Sequence, residues 1–203
     1  MRLLWAGVVV LAVAAAAWFF FLRAPDIANY PSAGTDIIAL GDSLVYGTGA
    51  PRESGFVPVL SNDIGQPIAN LGHPGDTTSD VLGRLDDLDA YRPKVVILLV
   101  GGNDYLQQVS DEAVFANLAS IIEGLQRRGA AVLLVGIRGG VLADPYASRF
   151  EELARTYRTA YVPDALSGLF GKKEYMSDTI HPNAQGYALL AARLAPVLKD
   201  LLQ

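Results

Sequence analysis

Four short segments of this 203-residue chain carry groups that could do chemistry together. Gly41-Asp42-Ser43-Leu44 follows the apolar run Ile37-Ile38-Ala39-Leu40. A serine at the carboxyl end of a buried strand is held by a rigid element and exposed by the turn, as a nucleophile requires. Asp178-Thr179-Ile180-His181 sets a carboxylate three residues before an imidazole. In a turn, that spacing lets the carboxylate hold one ring nitrogen while the other points toward the sheet edge, as a general base and its orienting acid need. Gly72-His73-Pro74-Gly75-Asp76-Thr77 and Gly101-Gly102-Asn103-Asp104 offer oxyanion donors. These are the Gly75 N–H, with Gly72 as runner-up, and the Asn103 amide. The chemistry they point to together is acyl transfer.

Taken alone, each segment has a plainer reading. Ser43 reads as a helix N-cap, and no Gly-x-Ser-x-Gly elbow surrounds it. Asp178 or Asn183 could cap the last helix with His181 as a bystander, and the Gly-Asn segment could be a simple turn. His73 has no evident orienting acid in the sequence and reads as pocket lining or surface. The case for chemistry rests on convergence, since all four segments fall on one edge of the fold.

That edge follows from the elements. Apolar runs predict strands at Asp36–Leu40, Pro67–Leu71, Lys94–Val100, Ala131–Ile137 and Ala160–Val162. Val95-Val96-Ile97-Leu98-Leu99-Val100 is apolar at every position, the mark of a strand covered on both faces. Amphipathic spacing predicts helices at Gly55–Ile64, Thr78–Leu88, Asp111–Arg128, Pro145–Tyr157 and Asn183–Leu202. Alternation of strand and helix predicts an α/β fold, a three-layer α/β/α sandwich on a parallel sheet of about five strands. The three glycine-bearing segments then follow strands one, two and three, and the Asp178–His181 loop folds over them.

Composition narrows the function. The hydrophobic fraction of 51% supports one well-buried domain. The net charge of −5 and scattered basic residues give no field for nucleic acid. The absence of Cys excludes disulfides, thiolate nucleophiles and Cys-bound zinc, and two His exclude a His-rich metal site. No Gly-x-Gly-x-x-Gly or Walker segment follows strand one, so nucleotide binding lacks support.

Leu3 to Leu22 is an unbroken apolar stretch bracketed by Arg2 and Arg23, with Trp5 and Trp18 near its ends. At ~1.5 Å per residue a helix there is roughly 30 Å long, matching a bilayer core. Residues 1–23 are therefore expected to be a transmembrane anchor with the domain exported, on the periplasmic side. The alternative is a signal peptide cleaved near Ala14–Ala17, leaving a secreted periplasmic protein. Residues 24–34 read as a short linker and 35–203 as the domain.

Ser43, Gly75, Asn103 and His181 stand in the order Ser, Gly, Asn, His. In this the chain resembles the SGNH hydrolases, also called GDSL esterases/lipases. The resemblance runs from about Asp36 to the C-terminus. It is carried by Gly41-Asp42-Ser43-Leu44, by Asn70 with Gly75-Asp76-Thr77, by Gly101-Gly102-Asn103-Asp104 and by Asp178-Thr179-Ile180-His181-Pro182-Asn183. Within the family the chain looks most like the periplasmic acyl-thioesterase/arylesterase/lysophospholipase branch. Gly75-Asp76-Thr77 and Ile137-Arg138 support that branch.

The resemblance implies a flavodoxin-like SGNH fold. It implies Ser43, Asp178 and His181 as the catalytic residues. It implies an oxyanion hole of the Ser43 and Gly75 N–H groups and the Asn103 amide, with no metal or organic cofactor. The expected partner is a small-molecule or lipid acyl ester, met by a monomer. The expected activity is hydrolysis of aryl esters, lysophospholipids or acyl thioesters. A carbohydrate O-deacetylase on the same machinery and a non-catalytic tethered binding domain are the rivals. Thr48–Gly55 and Gly139–Tyr146 are expected to border the pocket, with Tyr46, Tyr105 and Tyr146 nearby.

Overall fold

Five apolar runs become five parallel strands in the computed structural model, which describes residues 26–138, 144 and 146–203. They are β1 (Asp36–Gly41), β2 (Ile68–Gly72), β3 (Pro93–Leu99), β4 (Ala131–Val135) and β5 (Ala160–Val162), in the sheet order β2-β1-β3-β4-β5. The register pairs Gly41 with Gly72 on one side and with Leu99 on the other. Because β2 and β3 flank β1 from opposite sides, the winding direction reverses at β1. Such a reversal opens a crevice at the carboxyl ends of the strands, where open α/β sheets bind ligands.

Helices cover both faces. They are α1 (Ser43–Tyr46), α2 (Phe56–Ile64), α3 (Thr78–Gly83), α4 (Gly102–Leu106), α5 (Asp111–Arg127), α6 (Tyr146–Tyr157) and α7 (Ala184–Leu202). On one face α2 packs against α7, and on the other α3 and α6 pack against α5. The apolar stripes explain the docking. Val114, Leu118, Ile121, Ile122 and Leu125 of α5 are fully buried, as are Tyr187, Leu190, Leu194 and Leu198 of α7. Val95 to Leu99 of β3 are fully buried, as a central strand with two covered faces must be.

The differences from the sequence reading are local. The helix expected over Thr78–Leu88 stops at Gly83, and a 3-10 turn spans Leu85–Ala90. Gly83 is a weak helix former, and the Arg84 side chain is drawn away to Asp76 and to the carbonyls of Gly41 and Leu71. The fourth strand stops at Val135, short of Ile137. The short helices α1 and α4 were not expected; one turn each is too brief to show an apolar period.

Residues 26–34 lie against the amino ends of the strands. Asp26 pairs with Arg158 at 2.8 Å, Asn29 donates to the Gln126 and Ala130 carbonyls, and Ser32 donates to the Gly129 carbonyl. The apolar run Leu3–Leu22 lies outside the described residues. Among the described residues, no helix is long and apolar enough to cross a membrane.

Candidate active site

Ser43 opens α1 directly after β1, and the chain around it is pinned from three sides. The buried Asp42 accepts the Leu44 N–H at 2.9 Å, closing the turn. Gly41 packs so tightly on the Leu99 carbonyl that a Cβ would collide with it. Asn70 of β2 donates to the Val45 carbonyl at 2.7 Å and accepts the Gly72 N–H at 2.9 Å. That last bond corrects the place of Gly72 as a second-choice oxyanion donor: its N–H is already used.

The segment carrying His181 is a closed loop before α7. The Ser177 N–H donates to the His181 carbonyl at 2.9 Å, and Met176 forms an antiparallel bridge with Pro182. Asn183 caps α7 by accepting the N–H groups of Gln185 and Gly186. One oxygen of Asp178 accepts the backbone N–H groups of Ile180 (2.8 Å) and His181 (2.7 Å). The other lies 2.7 Å from Nδ1 of the His181 ring, and Nε2 of that ring lies 3.0 Å from the Ser43 hydroxyl oxygen. The bond to the imidazole, followed by the two backbone N–H bonds, lowers the Asp178 pKa to about 2. With its side chain 51% exposed, Asp178 acts on the ring more through geometry than through unscreened charge.

Gly49 supports this loop from the other side. Its φ is +98°, and a Cβ there would stand 2.6 Å from the Pro182 carbonyl and 2.9 Å from the His181 Cβ. The buried Tyr187 hydroxyl donates to the Thr48 carbonyl at 2.7 Å and fixes the same strip of chain. Thus Thr48–Gly49 meets the histidine loop from behind, and no residue of the expected border Thr48–Gly55 lines the cavity beside Ser43.

The loops after β2 and β3, which carry the candidate oxyanion donors Gly75 and Asn103, are joined through Asn103. Asn103, in α4 just after Gly101 and Gly102, donates one amide hydrogen to the Asp76 carbonyl at 2.8 Å, and the other has no partner among the described residues. Gly75 has a φ of +95°, and its N–H, like that of Ser43, has no partner among the described residues. His73 shares the Gly75 loop but does not line the cavity beside Ser43: its ring is 57% exposed and 4.0 Å from Asp76. So a carboxylate does stand near it, but Asp76 is held at 2.6 Å by Arg84. Arg84 was missed in the sequence. It ties Asp76 to the ends of β1 and β2, and the one available signal was a lone cation in an acidic stretch.

A cavity of about 420 Å³ opens beside Ser43 and His181, within the usual size of small-ligand pockets. Leu44, Ile137, Leu166 and Phe170 make much of it apolar, and Asn103 and Arg138 add polar groups. Of the tyrosines expected nearby, Tyr105 lines it, Tyr146 packs behind Tyr105 with ring centroids 6.4 Å apart, and Tyr46 is not among its lining residues. Tyr146 is buried edge-on against Phe115 and Phe150. Most of the expected border at Gly139–Tyr146 falls outside the described residues, namely 139–143 and 145. A larger hollow of about 630 Å³ lies at the opposite end of the strands, by Asn29–Gly34 and away from these groups. Burial lifts the Asp42 pKa to about 7, against the pull of the Leu44 N–H and the nearby His181. Among the described residues, no cluster of His, Cys, Asp or Glu could hold a metal ion.

A hydroxyl, an imidazole and a carboxylate in line, next to unspent N–H donors and an apolar cavity, can perform nucleophilic acyl transfer. A family model described as GDSL-like Lipase/Acylhydrolase matches residues 39–189. Esterase TesA of Pseudomonas aeruginosa is 32% identical over 186 residues, covering 84% of this chain and 91% of the relative. Thioesterase 1/protease 1/lysophospholipase L1 of Escherichia coli is 27% identical over 181 residues, covering 84% and 86%. A crystal structure of TesA superposes with a TM-score of 0.74 at 30% identity, covering 82% of this chain and 99% of that one.

Proposed function

We propose that this chain, which belongs to the GDSL-like lipase/acylhydrolase family, hydrolyses acyl esters and thioesters through Ser43, His181 and Asp178. That it is a serine hydrolase acting on ester bonds is the premise; which residues act, and on which acyl groups, is the proposal. His181 Nε2 takes the proton of the Ser43 hydroxyl as its oxygen attacks the carbonyl carbon. The tetrahedral oxyanion is held by the N–H groups of Ser43 and Gly75 and by the Asn103 amide. His181 returns the proton to the departing alcohol or thiol. Water, deprotonated by the same ring, then cleaves the acyl-enzyme to the free acid and restores Ser43. Asp178 keeps the ring in the tautomer whose Nε2 is a base.

The observation that carries this reading is the continuous chain from Ser43 to His181 at 3.0 Å and on to Asp178 at 2.7 Å, at the wall of a largely apolar cavity. The apolar lining favours medium or long acyl groups over acetyl, and hence lipid-derived acyl esters over envelope polysaccharide. Arylesterase, lysophospholipase and thioesterase activities all fall within that chemistry. Export fits the apolar N-terminal run, either as an anchor or as a segment removed on secretion. The test is a series of p-nitrophenyl esters from acetyl to palmitoyl on the purified protein, with Ser43→Ala as control. A maximum at medium or long chains that vanishes in Ser43→Ala is expected. A maximum at acetyl would favour a deacetylase, and activity retained by Ser43→Ala would remove the assignment of the nucleophile.

A further inference from the structure

The Gly75–Thr78 segment is fastened to α4 at two points. Asn103 holds the Asp76 carbonyl, one residue beyond the Gly75 N–H. The next residue, Asp104, is 1% exposed and holds Thr78 twice: one carboxylate oxygen accepts the Thr78 N–H at 2.9 Å, the other lies 2.7 Å from the Thr78 hydroxyl oxygen. From α5, the Asn117 amide donates to that same hydroxyl at 3.1 Å. The relay has one direction. Because the Thr78 oxygen accepts from Asn117, its hydrogen goes to Asp104, and both Asp104 oxygens serve as acceptors.

Helix capping accounts for only part of what Asp104 does: it takes the Thr78 N–H that the capping box leaves over, and also the Thr78 hydroxyl, which is no part of a helix end. The start of α3 already has a complete capping box, in which Thr77 accepts the Asp80 N–H and Asp80 accepts the Thr77 N–H. Asp104 adds a fixed distance between the loop after β2 and the loop after β3. Each of those loops carries one of the two candidate oxyanion donors that lie beyond Ser43 itself. A buried carboxylate is a costly way to obtain stability alone, whereas fixed donors act at the moment charge develops.

We propose that Asp104, acting through Thr78 with Asn117 behind it, is a positioning residue that sets the Gly75 N–H and the Asn103 amide at the spacing the transition state needs. This rests on the oxyanion-hole reading above. Asparagine is an imperfect replacement for Asp104: with its oxygen on the Thr78 N–H, its NH₂ would turn to the Thr78 hydroxyl oxygen and leave the hydroxyl hydrogen without its acceptor.

The experiment uses the full chain and a medium-chain p-nitrophenyl ester, with Thr78→Val, Thr78→Ser and Asn117→Ala as variants. Thr78→Val keeps the shape and the N–H but removes the hydroxyl. It is expected to lower kcat by roughly tenfold or more, because small misplacements of reacting groups cost up to ~10²-fold. KM should stay within about threefold and the shape of the pH–rate profile should not change, since these donors act on the transition state and not on the base. Affinity for an alkyl boronic acid, which mimics the tetrahedral adduct, should fall in parallel with kcat/KM. Thr78→Ser should restore kcat to within about threefold.

A folded Thr78→Val with wild-type kcat would overturn the proposal. So would a loss confined to KM or to thermal stability, or boronate affinity that stays put while kcat falls. If Thr78→Val does not fold, Asn117→Ala decides. It removes only the outer link and should cut kcat several-fold at constant KM, and an unchanged kcat would count against the relay. The parent reading fails separately: wild-type activity that survives Ser43→Ala would remove it, whatever the Thr78 variants do.

Discussion

Replacing Asp178 by asparagine should be more damaging than replacing it by alanine. One Asp178 oxygen accepts two backbone N–H groups, from Ile180 and His181, at 2.8 and 2.7 Å. In Asp178→Asn those donors demand the amide oxygen, so the NH₂ must take the position 2.7 Å from His181 Nδ1. An NH₂ there forces Nδ1 to accept, which puts the ring proton on Nε2, facing Ser43. The hydroxyl then meets a donor where it needs a base. A locked wrong tautomer costs about 10³–10⁴ in kcat, or about 4–5.5 kcal/mol of transition-state stabilisation. Asp178→Ala leaves the ring free to take either tautomer, and its backbone N–H groups turn to water at this half-exposed site. Its loss should be about tenfold smaller than that of the asparagine variant. Steady-state kcat on a p-nitrophenyl ester, with thermal melts to confirm folding, measures both. An alanine variant weaker than the asparagine one, or an asparagine variant within tenfold of wild type, would refute the tautomer argument.

Three further outcomes follow from named contacts. Asp42 is buried with its pKa raised to about 7 from an ordinary 3.8, so the folded protein holds a proton that the unfolded chain releases between about pH 4 and pH 7. Stability from this group is full below about pH 4 and declines as pH rises to about 7. Asp42→Asn keeps an acceptor for Leu44 and removes that decline, so the Tm difference between variant and wild type should shift in the variant's favour from pH 4.5 to pH 8. An equal difference at both would contradict it. Tyr187→Phe leaves the Thr48 carbonyl without its 2.7 Å donor and should cost about 1–2 kcal/mol, roughly 2–8 °C in Tm. A Tm within 1 °C of wild type would show, against this account, that water replaces the bond without loss. His73→Ala should keep kcat within about twofold, since its exposed ring does not line the cavity beside Ser43 and no step of the mechanism uses it. A loss approaching that of His181→Ala would mean the base had been misassigned.

The sheet was legible because each strand announces itself as a run of apolar residues bounded by Gly, Pro or charge. Val95–Val100, apolar at every position and β-branched at four of its six, signals a strand covered on both faces. Ser43 could be singled out for the same reason, since its segment begins where an apolar run ends; Asp178 and His181 stood out instead by their three-residue spacing just before the last helix. Gly72 illustrates the limit. Its type and place matched a donor, but its N–H is consumed by Asn70, and a hydrogen bond between a side chain and a residue two places on leaves no periodic trace. Arg84 and the Asp104–Thr78–Asn117 relay were illegible on the same ground. They join residues 8 to 43 positions apart, and each looks like ordinary surface or cap chemistry until the loops are brought together. Tyr146 looked like a pocket aromatic because the loop before it was expected at the edge. The packing of Phe115 and Phe150 draws it into the core instead.

The central claim is that Ser43 is the nucleophile that becomes acylated, with His181 as its base. Intact-protein mass spectrometry with an alkyl fluorophosphonate, followed by peptide mapping, measures this most directly. The account predicts one adduct per chain, on Ser43, with activity falling in proportion to labelling, no adduct in Ser43→Ala and a greatly slowed one in His181→Ala. An adduct on another residue, or full activity in stoichiometrically labelled protein, would contradict it.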